Sequence, residues 1–108
     1  MNKYDNFVIY KIYQPEIPEI FYIGSTTNFS SRKSNHKKYC NNRVSKKYKY
    51  PLYKYIRASG GWDKFLIEII EKVSVKSKGE GLQKEQEYID LLKPKLNSIR
   101  AKKIIKEI

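Results

Sequence analysis

A chain of 108 residues with a net formal charge of +12, from 23 Lys plus Arg against 11 Asp plus Glu, has room for one domain and one modest core. One cysteine and one histidine exclude an internal disulfide and a structural Cys/His zinc site, so any metal must be held by oxygen. No apolar run is long enough for a secretory leader or a membrane span, which predicts a soluble intracellular chain with no membrane partner.

The excess of positive charge favours a polyanion, with nucleic acid first, although a solvated lysine-rich surface is the plain alternative. Ten tyrosines among the cations suit base stacking as well as core packing. In chain order, Phe7 to Tyr13 is β-branched and aromatic, placing Phe7, Ile9 and Lys11 on one face of a strand and Val8, Tyr10 and Ile12 on the other. The two prolines of Gln14 to Glu19 predict a loop, and Ile20 to Gly24 a second, antiparallel strand.

Small polar residues from Ser25 to Asn28 then suit a turn, with Asn28 or Ser30 as the cap of a helix from about Phe29 to Tyr39. Arg32 and His36 are four apart, so on that helix they share one face. Lys37 to Lys49 is too charged for a core and is expected to form an exposed basic loop, in which Cys40 is an incidental reduced thiol. A second helix is expected from Pro51, with an apolar stripe of Leu52, Tyr53 and Ile56, ending at Gly60-Gly61.

Phe65 to Val73 is apolar on both faces, as a central strand covered on two sides would be. After a polar link, a helix runs from about Leu82 to Leu92 and stops before Pro94. Its apolar stripe of Leu82, Ile89 and Leu92 has Glu85 on the same face, and an inward carboxylate needs a compensating partner: Arg32, a metal ion, or both. Residues 98 to 108 read as a basic tail, helical or frayed.

The polar residues placed inward are Tyr10, Tyr22, Arg32, His36 and Glu85, with Asn97 just beyond the last helix. Each has an ordinary structural reading, as packing tyrosine, surface cation, salt-bridge carboxylate or turn residue. Together they suit metal-assisted attack of water on a phosphodiester. Mg²⁺ or Mn²⁺ needs as few as one protein carboxylate, Arg32 can stabilise charge on the phosphoryl oxygens, and a phenol of lowered pKa, or His36, can take the proton.

This pattern resembles the GIY-YIG nuclease family. Val8-Ile9-Tyr10 matches the first signature and Tyr22-Ile23-Gly24 the second, Arg32 follows Gly24 by eight residues, and His36 follows Arg32 by four. The stretch Gly60-Gly61-Trp62-Asp63-Lys64-Phe65, Glu85 and Asn97 extend the likeness from Val8 to Asn97, with Val8 standing where that family usually has glycine.

The resemblance implies an α+β fold, a small three-stranded antiparallel sheet flanked by three or more helices. It further implies a DNA endonuclease using one divalent cation, with Glu85 as metal ligand and Arg32 as stabiliser of phosphate charge. Tyr10 would be the general base or water-orienting phenol, Tyr22 and His36 its assistants, and Asn97 a supporting residue. A catalytically weakened nucleic-acid-binding module of the same fold is the alternative.

The length leaves no room for a separate recognition domain, so residues 1–108 are expected to form a single nuclease domain, either stand-alone or the catalytic part of something longer. It would act as a monomer or transient dimer. Arg43, Lys46, Lys47, Lys49 and Lys54, with the tail from Arg100 to Lys106, are the candidate phosphate-contacting residues.

Overall fold

A computed structural model describes residues 3–97, so the tail 98–108 and its candidate DNA contacts lie outside the described residues. Its centre is β1 (Phe7–Gln14), whose alternation buries both faces: Val8, Tyr10 and Ile12 in one apolar cluster, Phe7 and Ile9 in another. Three strands in the order β2-β1-β3 form an antiparallel sheet, and with its helices the chain is an α+β fold as expected.

β2 (Ile17–Thr26) begins only two residues after β1 ends, at Pro15-Glu16. The expected long loop is therefore a tight hairpin. Pro18 lies within β2, which its place at the sheet edge allows, and the register shift beyond Tyr13 absorbs the irregularity.

β3 (Leu66–Val73) is also an edge strand, contrary to the central position expected from its two apolar faces. Leu66 and Ile69 are nearly half exposed, and Glu68, Glu71 and Lys72 supply the charge that edge strands carry and buried ones avoid. Apolarity on two faces is a weaker guide to strand order than the charges interrupting it.

Asn28 caps α1 (Phe29–Asn41), its side chain accepting the amide of Ser31 at 3.0 Å. The helix outlasts its expected end at Tyr39, because Cys40, four residues after His36, continues the inward face. Both are buried, so Cys40 is a free core thiol rather than a residue of an exposed loop.

Residues 42–50 follow as a series of turns. Arg57 braces them by donating to the carbonyls of Cys40 (2.8 Å) and Tyr48 (2.7 Å), with its guanidinium 3.6 Å from the centre of the Tyr48 ring. α2 (Pro51–Ala58) carries proline in its first turn and buries Leu52, Tyr53 and Ile56, the stripe its sequence predicts.

α1 and α2 cover the face of the sheet bearing Tyr10. The other face receives α3 (Lys78–Leu92), capped by Ser77 and ended by Lys93 in the left-handed conformation immediately before Pro94. The side of α3 that packs is Gly81, Tyr88 and Ile89, so of the predicted stripe Ile89 packs while Leu82 and Leu92 are both more than 40% exposed. Gly81 permits the close approach, for a Cβ there would fall 2.5 Å from the Phe7 ring. Among the described residues no helix is long and apolar enough to cross a membrane.

Candidate active site

On the α1 side of the sheet the antiparallel register sets Tyr10 opposite Gly24 and Ile12 opposite Tyr22, so both signature tyrosines face the same helix. The close packing depends on Gly24. A Cβ there would lie 2.5 Å from Tyr10 Oη and 2.6 Å from Cζ, which means the phenol occupies the space a side chain would take.

Above them His36 is held on every side. Its Nε2 lies 2.7 Å from Tyr10 Oη and its Nδ1 2.8 Å from Tyr53 Oη. Trp62 stacks on the imidazole at 6.2 Å and 16°, and the Tyr22 ring meets it at 6.3 Å and 75°.

This burial sets the protonation states. Desolvation, reinforced by the charges of Arg32 and Lys47, lowers His36 to about 4, so the imidazole is neutral at pH 7. Desolvation also pushes Tyr10 and Tyr53 well above the usual phenol range, with Tyr22 adding to the shift in both and Arg32 opposing it. The expectation of a phenol with a lowered pKa therefore fails at Tyr10: a low-dielectric site disfavours the phenolate more than one guanidinium favours it.

Because β2 is an edge strand, side chains from both faces of the sheet reach the space beside it. A cleft of about 450 Å³ there is lined by Tyr22 and Arg32 from the α1 side and by Glu85 of α3, with Gly24, Ser25 and Thr27 between them. Arg32, in the first turn of α1 and one turn before the buried His36, is exposed, and Glu85 is half-buried.

The compensation expected for the Glu85 carboxylate comes from the Ser25 hydroxyl, which donates to Oε1. Among the described residues the single ion pair is Lys84 with Glu71, so Arg32 and Glu85 share the cleft without neutralising each other. Asn97 reaches the same edge: its Oδ1 accepts the Ile23 amide at 2.8 Å and its Nδ2 donates to the Ile23 carbonyl at 2.9 Å. It thereby takes the place of a neighbouring strand for the peptide between Tyr22 and Gly24.

Among the described residues no three His, Cys, Asp or Glu side chains gather in the way a protein-only metal cage requires. A single half-buried carboxylate in an open, hydroxyl-lined cleft instead fits a hard cation that keeps most of its water or shares phosphate oxygens. Glu85 is the residue that would hold it.

Of the candidate DNA contacts, Arg43, Lys46, Lys47, Lys49 and Lys54 are all exposed, on the turns after α1 or on α2. Lys47 comes nearest the site, at the mouth of a second hollow that also has Tyr22 and Arg32 in its walls. Three participants escaped the sequence reading. Tyr53 looked like any member of an apolar stripe, Ser25 like a turn residue, and Trp62 stood only within the family-like stretch from Gly60 to Phe65 with no role of its own, and no local pattern marks a partner 17 or 60 residues away.

A family model described as the GIY-YIG catalytic domain matches residues 6–97, a span holding the sheet, all three helices and every candidate catalytic residue. The chain belongs to the GIY-YIG family, whose catalytic domains are of nuclease type. No curated protein and no solved structure gives a significant match.

Proposed function

We propose that the chain is a divalent-metal-dependent DNA endonuclease that hydrolyses phosphodiester bonds at the edge of β2. The observation that carries this reading is the meeting of Arg32, Glu85 and Tyr22 in one cleft, with a hydrogen-bonded pair of Tyr10 and neutral His36 directly behind it. Arg32, unpaired by any carboxylate among the described residues, receives a phosphate and stabilises the charge that grows on its oxygens. Glu85 holds Mg²⁺ or Mn²⁺, which when bound supplies Lewis-acid polarisation of the phosphoryl group.

Tyr22, the phenol that lines the cleft, orients the attacking water. Tyr10 is completely enclosed, and its hydroxyl lies against Gly24, a residue of the cleft wall. As the water oxygen bonds to phosphorus and the bond to the departing sugar oxygen breaks, a second water at the Gly24 wall carries the released proton to Tyr10 while the Tyr10 proton passes to His36 Nε2, so no phenolate need exist beforehand. The imidazole can take that proton only if its own hydrogen is on Nδ1, donated to the Tyr53 oxygen. Asn97 keeps the Tyr22-Ile23-Gly24 edge in place.

The competing reading is a nucleic-acid-binding module of the same fold with weakened catalysis, motivated by Val8. Its side chain is 4% exposed within the core on the same face as Tyr10, and the Tyr10 to His36 hydrogen bond of 2.7 Å is intact beside it. This favours the active enzyme. Supercoiled plasmid incubated with Mg²⁺ or Mn²⁺ decides between the two: the intact protein is expected to nick and then linearise it, Glu85→Gln to leave it uncut, and Arg32→Ala to cut it far more slowly than the parent. Plasmid that is retarded on a gel but never cut by the intact protein refutes the enzyme.

A further inference from the structure

The second hollow, of about 200 Å³, shares Tyr22 and Arg32 with the cleft and continues from them toward Tyr39, Lys47 and Tyr50. Its aromatic members are ordered. Tyr50 stacks on Tyr53 at 6.2 Å and 12°, Tyr39 packs against Tyr53 at 59°, and the Lys47 ammonium lies 4.7 Å over the Tyr39 ring. Tyr50 is 45% exposed, and among the described residues no other aromatic side chain is exposed.

A solvent-facing phenol ring beside two cations and the Asn35 carboxamide matches the parts of a nucleotide. The ring offers a stacking surface to any base, the ammonium and guanidinium suit the phosphates on either side of it, and the amide suits a base edge. A base stacked and paired inside a duplex cannot enter such a hollow, whereas an unpaired one can do so at little cost.

We propose that this hollow receives one unpaired nucleobase, stacked on Tyr50 and directly adjoining the phosphate held at Arg32, so that the protein selects DNA carrying an unstacked nucleotide next to the point of attack. This deepens the nuclease reading, on which it rests for the position of the phosphate.

The test uses the full chain in the presence of a chelator, so that binding is read without hydrolysis. Duplexes carrying a single unpaired 5-iodouracil at successive positions are irradiated at long wavelength and the attached residue is identified by mass spectrometry. Crosslinking to Tyr50 from one position is expected. Tyr50→Ala is expected to lose roughly tenfold in affinity for the duplex with the unpaired base and to bind the fully paired duplex within about twofold of the parent, while Tyr50→Phe keeps the preference.

Equal losses on both duplexes, or Tyr50→Phe behaving as Tyr50→Ala, overturn the base-binding role. Because no metal is present, that failure is separate from failure to cut plasmid, which bears on hydrolysis alone.

Discussion

The imidazole of His36 is suspended between two phenols, 2.7 Å from Tyr10 through Nε2 and 2.8 Å from Tyr53 through Nδ1. A neutral imidazole has one donor and one acceptor nitrogen, so what Tyr53 does at one side fixes what Tyr10 meets at the other. Tyr53→Phe removes the acceptor for Nδ1–H and is expected to move the proton to Nε2, with a loss of about 10- to 100-fold in kcat. His36 is the only histidine, so nitrogen NMR of the ring reads the tautomer directly. An unchanged tautomer in the variant would remove Tyr53 from this role.

Folding with a neutral imidazole has a pH signature. His36 titrates near 6.5 when unfolded and at about 4 when folded. Between those values the unfolded chain binds a proton that the folded chain does not, so stability falls as pH drops through this window, is unaffected above it, and is lower by about 3 kcal/mol once pH is below 4. Urea melts of the parent and His36→Gln at pH 7 and pH 4.5 check this: the parent is expected to lose more stability than the variant, and equal losses would contradict the burial of the ring. Arg32→Ala should also raise the His36 value, since that cation helps to lower it.

Gly24→Ala forces a methyl group into the Tyr10 phenol. We expect a loss of about 1–3 kcal/mol in urea unfolding, the usual cost of overpacking, and a loss of cleavage that exceeds the loss of fold, because Tyr10 moves away from His36. A variant as stable and active as the parent would show that the hydroxyl is not confined there.

For the metal and phosphate residues the prediction separates binding from cutting. Glu85→Gln should retain DNA binding in a chelator and lose cleavage in Mg²⁺, and Arg32→Ala should lower the rate by about 10²- to 10³-fold, the scale of losing one preorganised charge stabiliser. Cleavage by Glu85→Gln at the parent rate in a metal titration would exclude that carboxylate as the ligand.

Lys46, Lys47 and Lys49 are exposed on the turns braced by Arg57. Their joint replacement by alanine is expected to weaken binding to unrelated duplexes alike and to flatten the dependence of affinity on salt, as phosphate contacts do. Fluorescence anisotropy over a salt series measures both, and an unchanged slope would place the backbone contacts elsewhere.

Local rules made much of this molecule legible in its residues alone. The alternation of Phe7 to Tyr13, the cap at Asn28, the proline opening α2 and the four-residue spacing of Arg32 and His36 each act within a turn or two of chain, where propensity and periodicity are strong. The ordered signatures carried the family resemblance, which the match over residues 6–97 bears out.

What only the tertiary structure decided depends on contacts between distant residues. Strand order turned on which apolar strand found neighbours on both sides, and it made β1 central and β3 an edge. Glu85 found Ser25, 60 residues away, rather than Arg32, and Asn97 found the backbone of Ile23, 74 residues away. Periodicity gives the face a side chain occupies on its own element. The partner on that face is set by how the elements pack, and for Tyr53 that packing turned a stripe residue into the hydrogen-bond partner of the single histidine.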